Sequence, residues 1–304
     1  MAGHNPRVVY CHHTEPGYIP PPRVSENMVV VGLFMKTRRD GDRVMSIATP
    51  KGRYDLSALL KDLPSNQAPD VILVSIDATA LNGRVNLAAF DCPKVALLAD
   101  THHLTSPLQS ALSYLDDEAF DFHIALYNLR HAHWFASHGL KEVHWLPSMN
   151  VVGHKASPVK ETIREIIFIG QSGVYHPRRR RLLDAIEARA LPLRQFQVPA
   201  ERAARHYRAA RISLNCSLNG DLNMRIFEIM AAGGMVLTDR LAPQSSLSHL
   251  FREGEHLAAY GSIGELLEKI EHYLDHPEEA ARIAAAGEAH YGEHFAPGRV
   301  AECL

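Results

Sequence analysis

Residues 223–240 read NMRIFEIMAAGGMVLTDR, which predicts a short buried helix followed by a buried strand over MVLTD (235–239). Two consecutive glycines separate the helix from the strand, as is common where a helix ends. Arg225 and Glu228 are three residues apart, so both side chains lie on one face of the predicted helix. That pair is either a surface salt bridge or part of a face that meets a charged ligand.

The composition is that of a globular protein. Of 304 residues, 46% are hydrophobic and 22% are charged, and the formal net charge of -2 disfavours a nucleic-acid coat protein. No run of eighteen apolar residues is present, so we expect no transmembrane segment. The four cysteines are widely spaced and the 19 histidines show no HExxH pattern, which argues against a metal site. We therefore expect a cytoplasmic protein with free thiols.

Apolar strand candidates alternate with helical stretches over the first half of the chain. The strand candidates are RVVYC (7–11), RVMSIA (43–48), DVILVSI (70–76), KVALLA (94–99), FHIALY (122–127) and VHWLP (143–147). Residues 25–35, SENMVVVGLFM, occupy the place of a crossover helix and are predicted as a helix. Continuous apolar strands with helices between them predict a parallel sheet covered on both faces.

The alternation pauses at SMNVVGHKASPVKET (148–162) and then restarts. The fold class is therefore predicted to be α/β, with two Rossmann-like domains in tandem that face each other across a cleft. The boundary is placed near residue 150, giving domains 1–150 and 151–304. Ligands of open parallel sheets bind at the carboxyl ends of the strands, so the loops that follow the strands should line the cleft.

In the second domain these loops suit a nucleoside diphosphate. GQSG (170–173) follows the first strand and precedes a helix that begins at Pro177, an arrangement that either binds phosphate or makes an ordinary turn. It is not the G-x-G-x-x-G fingerprint, which disfavours NAD. Arg225 lies in a first helical turn, where the helix dipole disfavours a cation unless an anion is bound there. Arg225 would then hold the phosphates and Glu228 the ribose.

Residues 223–240, together with YRAARISLN (207–215), resemble the donor-binding domain of GT-B glycosyltransferases. Within that fold they are most similar to spore-maturation-type glycosyltransferases. The resemblance extends through VHWLPSMNV (143–151) and the tail 250–300, whereas over 1–142 only the rhythm of strands matches. Such relatives often carry a final helix beyond the stretch that matches FAPGRV (295–300). Whether the chain is a segment of a longer protein is therefore left open.

The resemblance implies roles for particular residues. Glu228 matches the glutamate that contacts the ribose, and Arg225 matches the arginine of the family's R-x-x-E motif. The donor-binding residues predicted in all are Gly170, Ser172, Gly173, Arg178, Arg225, Glu228 and Asp239. The chain departs from many retaining relatives, because Gly220 and Asp221 stand where those relatives carry a sugar-contacting glutamate. That departure leaves the stereochemical outcome open.

Two histidine-rich loops of the first domain are candidates for the acceptor side. HHTE (12–15) follows the first strand and DTHH (100–103) follows KVALLA, so both lie at carboxyl ends of strands. An inverting transferase needs a base to deprotonate the acceptor hydroxyl, and histidine suits that role. The candidate catalytic residues are His12, His13, Asp100, His102 and His103. Each could equally be a polar loop residue that bonds to the backbone.

These observations together predict a metal-independent glycosyltransferase that transfers a sugar from a nucleotide-sugar donor to an acceptor hydroxyl. No cofactor is expected, since the nucleotide sugar is a substrate. The acceptor is left open among a glycan, a lipid-linked sugar and a protein, with peripheral membrane association possible and no nucleic acid as partner. A nucleotide-sugar epimerase of the same fold and a non-catalytic sugar-nucleotide-binding module are the alternatives.

Overall fold

A computed structural model describes residues 5–17, 19–77, 83, 85–101, 105–127, 129–149 and 151–301. The chain divides into two compact units, one comprising Met1–Asn150 with Val300–Leu304 and the other Val151–Arg299. Each unit has its own sheet and its own hydrophobic core.

The first unit is built on an eight-stranded sheet. Its strands are β1 Val8–His12, β2 Met28–Gly32, β3 Arg38–Asp40, β4 Arg43–Ala48, β5 Val71–Ile76, β6 Lys94–Leu98, β7 Phe122–Ala125 and β8 Val143–Trp145. The strand order is β3-β4-β2-β1-β5-β6-β7-β8, and every pair except β3–β4 is parallel. The helices are α1 Leu56–Leu60, α2 Pro107–Asp117 and α3 Leu129–Ser137. All five residues of β1 are buried, as expected for a parallel strand covered on both faces.

The helix predicted over residues 25–35 is wrong, because this stretch contains strand β2. Val29, Val30 and Val31 are consecutive, and β-branched side chains favour the pleated sheet over the helix. All three valines are buried, and β2 pairs with β1 in the register Val8↔Met28. The connection from β1 to β2 contains no helix among its described residues.

Strand β3 was not predicted from the sequence. Its three residues, Arg38, Arg39 and Asp40, are exposed and charged, and it pairs antiparallel with β4 at the edge of the sheet. An edge strand of this kind lacks the apolar run by which the buried strands are recognised. Its charges also disfavour pairing with another chain.

The second unit is built on a five-stranded parallel sheet in the order β10-β9-β11-β12-β13. The strands are β9 Ile163–Ile169, β10 Leu193–Phe196, β11 Ala210–Leu214, β12 Val236–Asp239 and β13 Ala258–Tyr260. The helices are α4 Pro177–Ala188, α5 Ala200–Ala209, α6 Met224–Ala231, α7 Leu247–Leu250, α8 Ile263–Asp275, α9 Pro277–His294 and α10 Pro297–Ala301. Helix α10 was not predicted from the sequence.

Helix α6 is the helix predicted over the first half of residues 223–240. Ile226, Phe227, Ile229 and Met230 are all at most 1% exposed, so this short helix is held by packing on nearly every side. The helix ends at Ala231, and Gly233, two residues further on, has a φ of +74°, the left-handed conformation that favours glycine. The strand β12 that follows brings Asp239 to the carboxyl edge of the sheet, near the residues that follow β9 and β11.

Candidate functional site

The turn after β9 and the first turn of α6 meet at Gly170 and Arg225. Gly170 has a φ of +149°, and a Cβ atom there would lie 2.3 Å from Nη2 of Arg225. The Arg225 guanidinium lies over the Phe168 ring, 4.9 Å from its centroid, and Nη1 donates to Oδ1 of Asn215 at 3.1 Å. The glycine therefore leaves room for a cation that is held against the ends of β9 and β11.

A second guanidinium, that of Arg179 on α4, lies close to Arg225. Nε of Arg179 donates to the carbonyl oxygen of Cys216 at 3.0 Å. Burial lowers the pKa of Arg179, and the positive charge of Arg225 lowers it further. Two cations that repel each other in a sheltered position are stabilised when an anion lies between or beside them. Arg179 was not singled out from the sequence, although it belongs to the Arg178–Arg181 run.

Arg178 and Asp239 are paired with each other. Nη1 of Arg178 donates to Oδ2 of Asp239 at 2.7 Å. Oδ1 of Asp239 accepts from the Ser217 backbone N–H at 2.9 Å, and the Ser217 hydroxyl donates to Oδ2. Asp239 is 2% exposed, so its described contacts fix Arg178 and the loop after β11. Direct contact of Asp239 with a donor stays a prediction.

Ser172 and Gly173 belong to the loop between β9 and α4. The Ser172 hydroxyl accepts from the Gln195 amide, and Gly173 has no neighbouring atom within 4 Å of an added Cβ. The loop borders an open cavity of about 550 Å³ lined by Ser172, Gly173, Val174, Pro177, Arg180, Arg181 and Asp184. Arg180 pairs with Asp184 at 2.7 Å, as expected for the solvated members of the arginine run.

Glu228 follows Arg225 by one turn of α6, yet the two side chains form no ion pair within 4 Å, and the described residues offer the carboxylate no hydrogen bond. Burial raises the pKa of Glu228, and the positive charge of Arg225 partly offsets that rise. The charge of Glu228 also acts on the hydroxyls of Tyr207 and Tyr291. A surface salt bridge therefore does not account for this pair of residues.

The loop before α6 leaves the start of the helix uncapped. Asn223 occupies the N-cap position, where an asparagine side chain usually bonds to a free backbone N–H. Here neither amide atom of Asn223 has a hydrogen-bond partner in the part of the chain that the structure describes. Oδ1 of Asp221 accepts from the backbone N–H groups of Leu218 and Asn219, both at 3.0 Å, and so closes the preceding turn. The N–H groups of the first turn of α6 are left available to a ligand.

In the first unit, His12 and His13 occupy the carboxyl end of β1. Nε2 of His12 donates to the Ile19 carbonyl oxygen at 3.0 Å, and burial with the nearby His13 lowers the pKa of His12 to about 4. Nε2 of His13 lies 3.0 Å from Oδ2 of Asp77, and both side chains are buried. Nδ1 of His13 has no partner among the described residues. Asp77 directly follows β5, the neighbour of β1, so its position in the sequence could have suggested this pair.

The remaining acceptor-side candidates are only partly described. Asp100 follows β6 and has a φ of +26°, which is uncommon for a residue with a side chain. Because β1, β5 and β6 are neighbours in a parallel sheet, Asp100 lies at the same edge as His13 and Asp77. His102 and His103 lie outside the described residues. The predicted position of these loops opposite the second unit stays a prediction.

Two features are absent from the described ranges. No group of three or more His, Cys, Asp or Glu side chains there is arranged to hold a metal ion. None of the helices in those ranges combines the length and apolar character needed to cross a bilayer.

Comparison with known proteins places this geometry in context. Residues 178–304 match the glycosyl transferase-like family. No curated protein matches the chain. The matched region contains Arg178, Arg179, Arg225, Glu228 and Asp239, and so covers most of the predicted donor side.

Solved structures resemble the chain over nearly its whole length. HepE from Anabaena in complex with UDP and glucose is 14% identical, with a TM-score of 0.64 and 98% of each chain covered. A glycosyltransferase from Rickettsia africae is 10% identical, with a TM-score of 0.63 and coverage of 99% of this chain and 97% of its own. Sucrose-phosphate synthase from Thermosynechococcus elongatus is 12% identical, with a TM-score of 0.61 and coverage of 97% and 96%.

At such identities the likeness to solved structures concerns the fold. The predicted α/β class with parallel sheets, as in GT-B glycosyltransferases, is confirmed. The family match and these neighbours support the predicted enzyme class, a glycosyltransferase.

Proposed function

We propose that this protein transfers a sugar from a nucleoside-diphosphate sugar to an acceptor hydroxyl. The observation that carries the proposal is that Arg225 and Arg179 both reach the loop after β9, at the carboxyl edge of a parallel sheet: Arg225 lies against Gly170, and Nη1 of Arg179 donates to the Gln171 carbonyl oxygen at 3.4 Å. Ligands of open parallel sheets bind at that edge. Two partly buried guanidiniums there favour a ligand of high negative charge. Relationship to the spore-maturation-type transferases is part of the proposal.

The diphosphate would lie beside Arg225 and Arg179, with the Gly170–Gly173 loop and the first turns of α4 and α6 supplying backbone N–H groups. When the bond between the sugar and the diphosphate breaks, negative charge accumulates on the leaving group. Arginines that are already in place stabilise that charge without rearranging. The protein would therefore need no metal ion, and metal independence is part of the proposal.

The ribose would bind at Glu228. Its carboxylate is sheltered and has no hydrogen-bond donor among the described residues, so the two ribose hydroxyls would supply the missing donors. Arg225, one turn earlier, would reach the adjoining phosphate. Uridine is the base we propose, because the structure of HepE was solved with UDP, with UDP-glucose, and with UDP and glucose.

If the reaction inverts configuration, His13 is the base that the geometry favours. The acceptor hydroxyl would give its proton to Nδ1 of His13, while Asp77 would stabilise the imidazolium through Nε2. His12 is a poorer base, because its lowered pKa, about 4, means a lower affinity for a proton and its Nε2 is bonded to Ile19. Asp100, His102 and His103 stay candidates. Location in the cytoplasm also stays a prediction.

A binding and turnover experiment tests the proposal. Purified protein is incubated with UDP-, GDP-, ADP-, TDP- and CMP-sugars while its melting temperature is followed, and the release of free nucleotide is followed with a glycan, a lipid-linked sugar or a protein added to accept the sugar. Stabilisation by one donor, with nucleotide release that requires Arg179 and Arg225, supports the transferase. Interconversion of the nucleotide sugar without an acceptor would support the epimerase instead, and binding without turnover would support the non-catalytic module. Absence of stabilisation by every donor would contradict all three.

A further inference from the structure

Tyr291, on helix α9, has a buried hydroxyl with no hydrogen bond. Its side chain is 3% exposed, and no partner for the hydroxyl exists among the described residues. Buried hydroxyls in folded proteins nearly always have a partner, so an exception calls for an explanation. Tyr291 belongs to the second unit, as does the proposed donor site.

The space around that hydroxyl is kept by Gly153. A Cβ atom at Gly153 would lie 2.2 Å from the Tyr291 oxygen, and the φ of Gly153 is +66°. The backbone that leads to β9 can thus pass directly over the hydroxyl only because residue 153 has no side chain. The hydroxyl is thereby enclosed and cannot turn to solvent.

The Tyr291 hydroxyl lacks a hydrogen-bond acceptor, and the carboxylate of Glu228 is a group that can accept its hydrogen bond. Helices α6 and α9 pack against each other on both sides of this pair: the Phe227 and Phe295 ring centroids are 5.2 Å apart, and a Cβ atom added to Gly287 would lie 3.5 Å from Cγ of Met230. Burial together with the charge of Glu228 raises the pKa of Tyr291. The described residues bring no hydrogen-bond donor to the Glu228 carboxylate. The Tyr291 hydroxyl, which lacks an acceptor, and the Glu228 carboxylate, which lacks a donor, therefore lie near each other where α6 packs on α9.

We propose that Tyr291 is a positioning residue for Glu228 when a ribonucleotide is bound. The Tyr291 hydroxyl donates to one carboxylate oxygen of Glu228, and the other oxygen accepts from the ribose hydroxyls. This inference rests on the proposed function, because it takes Glu228 to be the ribose-binding residue. It adds that selection of ribose over 2′-deoxyribose depends on a residue that does not touch the nucleotide.

The physical reason lies in the number of donors that a sheltered carboxylate needs. An ionised carboxylate taken from water is stabilised only if donors replace the lost solvent. The ribose supplies donors on one side of Glu228, and Tyr291 is the group that can supply one on the other side. A nucleotide that lacks the 2′-hydroxyl offers the Glu228 carboxylate one hydrogen-bond donor fewer. The arrangement with donors from the ribose on one side and from Tyr291 on the other is then lost.

The test compares the binding of UDP and 2′-deoxy-UDP by calorimetry in the wild type and in Tyr291→Phe. We expect the wild type to bind UDP about tenfold more tightly than 2′-deoxy-UDP, as the loss of one hydrogen bond to a charged group implies. In Tyr291→Phe the ratio should fall toward one through weaker UDP binding, with 2′-deoxy-UDP binding unchanged. Tyr273→Phe, a buried tyrosine on α8, is the matched control and should keep the wild-type ratio.

Other outcomes overturn the inference in distinguishable ways. An equal loss of affinity for both nucleotides would mean that Tyr291 acts only through packing. An unchanged ratio, or effects of Glu228→Gln and Tyr291→Phe that simply add, would mean that the two residues are not coupled. Wild-type binding of both nucleotides with equal affinity would overturn the inference and leave the proposed transferase standing. Failure of the wild type to bind any nucleoside diphosphate would overturn both.

Discussion

Substitution of Gly170 by alanine is the sharpest test of the proposed diphosphate site. The new Cβ would lie 2.3 Å from Nη2 and 3.2 Å from Cζ of Arg225, whereas ordinary contacts begin at 3.4 Å. The end of the guanidinium must therefore retreat by about 1 Å, which is enough to break or misalign a charged hydrogen bond to phosphate. The φ of +149° adds strain of about 1–3 kcal/mol to the folded state.

Loss of one hydrogen bond to a charged group costs about 1.5–3 kcal/mol, so UDP should bind roughly tenfold to a hundredfold more weakly to Gly170→Ala. Calorimetry measures the affinity, and a melting curve measures the stability separately. Gly292→Ala is the matched control, because nothing lies within 4 Å of its Cβ and the residue is exposed on α9. It should keep full affinity and gain slightly in stability.

The double variant Gly170→Ala with Arg225→Ala shows whether weaker UDP binding comes from the clash with Arg225 or from backbone strain at residue 170. If the clash acts through Arg225, adding Gly170→Ala to Arg225→Ala should lower the affinity little further. Full affinity in Gly170→Ala, with a lowered melting temperature to show that the strain is real, would refute the reasoning.

Three further predictions concern the remaining groups. Glu228→Ala should weaken nucleotide binding roughly tenfold to a hundredfold while the protein stays folded, since a charged hydrogen bond to the ribose is lost. Turnover with the correct donor should survive EDTA, because Arg179 and Arg225 neutralise the diphosphate. His13→Ala should lower kcat about 10²–10⁴-fold with donor affinity preserved if the enzyme inverts, and Asp77→Asn should lower it in the same direction. Calorimetry, a nucleotide-release assay and steady-state kinetics measure these effects in turn.

Each of these predictions has a clear contrary result. Unchanged affinity in Glu228→Ala would remove that residue from the site. Activity abolished by EDTA and restored by Mg²⁺ or Mn²⁺ would overturn the electrostatic assignment. Full turnover in His13→Ala, compared with the exposed control His138→Ala, would exclude His13 as the base. Full turnover in Ala variants of His12, Asp100, His102 and His103 as well would favour a retaining reaction, which needs no protein base for the acceptor.

The strand rhythm predicted most of the fold because buried parallel strands are apolar along their whole length. The prediction failed at Met28–Gly32, where a crossover helix was expected and three consecutive β-branched valines form a strand instead. It also missed Arg38–Asp40, because an exposed edge strand has no apolar signature. Local sequence thus predicts burial well and predicts the role of a segment in the topology less well.

The site was predictable to the extent that topology alone positions residues. Knowing that loops follow parallel strands was enough to predict that His12, His13 and Asp100 lie at one edge of a sheet. Arg225 and Glu228 came from their spacing on one helix and from the family resemblance, and their roles stay predictions. Pairing was not predictable, because the partners come from other strands and helices: Asp77 is 64 residues from His13, and the sequence gives no sign that Arg179 lies beside Arg225. Contacts of this kind depend on side-chain direction, which a one-dimensional pattern does not record.

The crowding of Arg179 and Arg225 has a consequence for the evolution and engineering of this protein. Like charges near each other disfavour the protein without a bound anion, whereas the same charges would favour the protein with the proposed diphosphate bound. Selection for thermal resistance alone would therefore tend to replace one of these arginines and impair function along the way. A search for stabilised variants should accordingly be run with nucleotide present, so that the repulsion is relieved in every molecule under test.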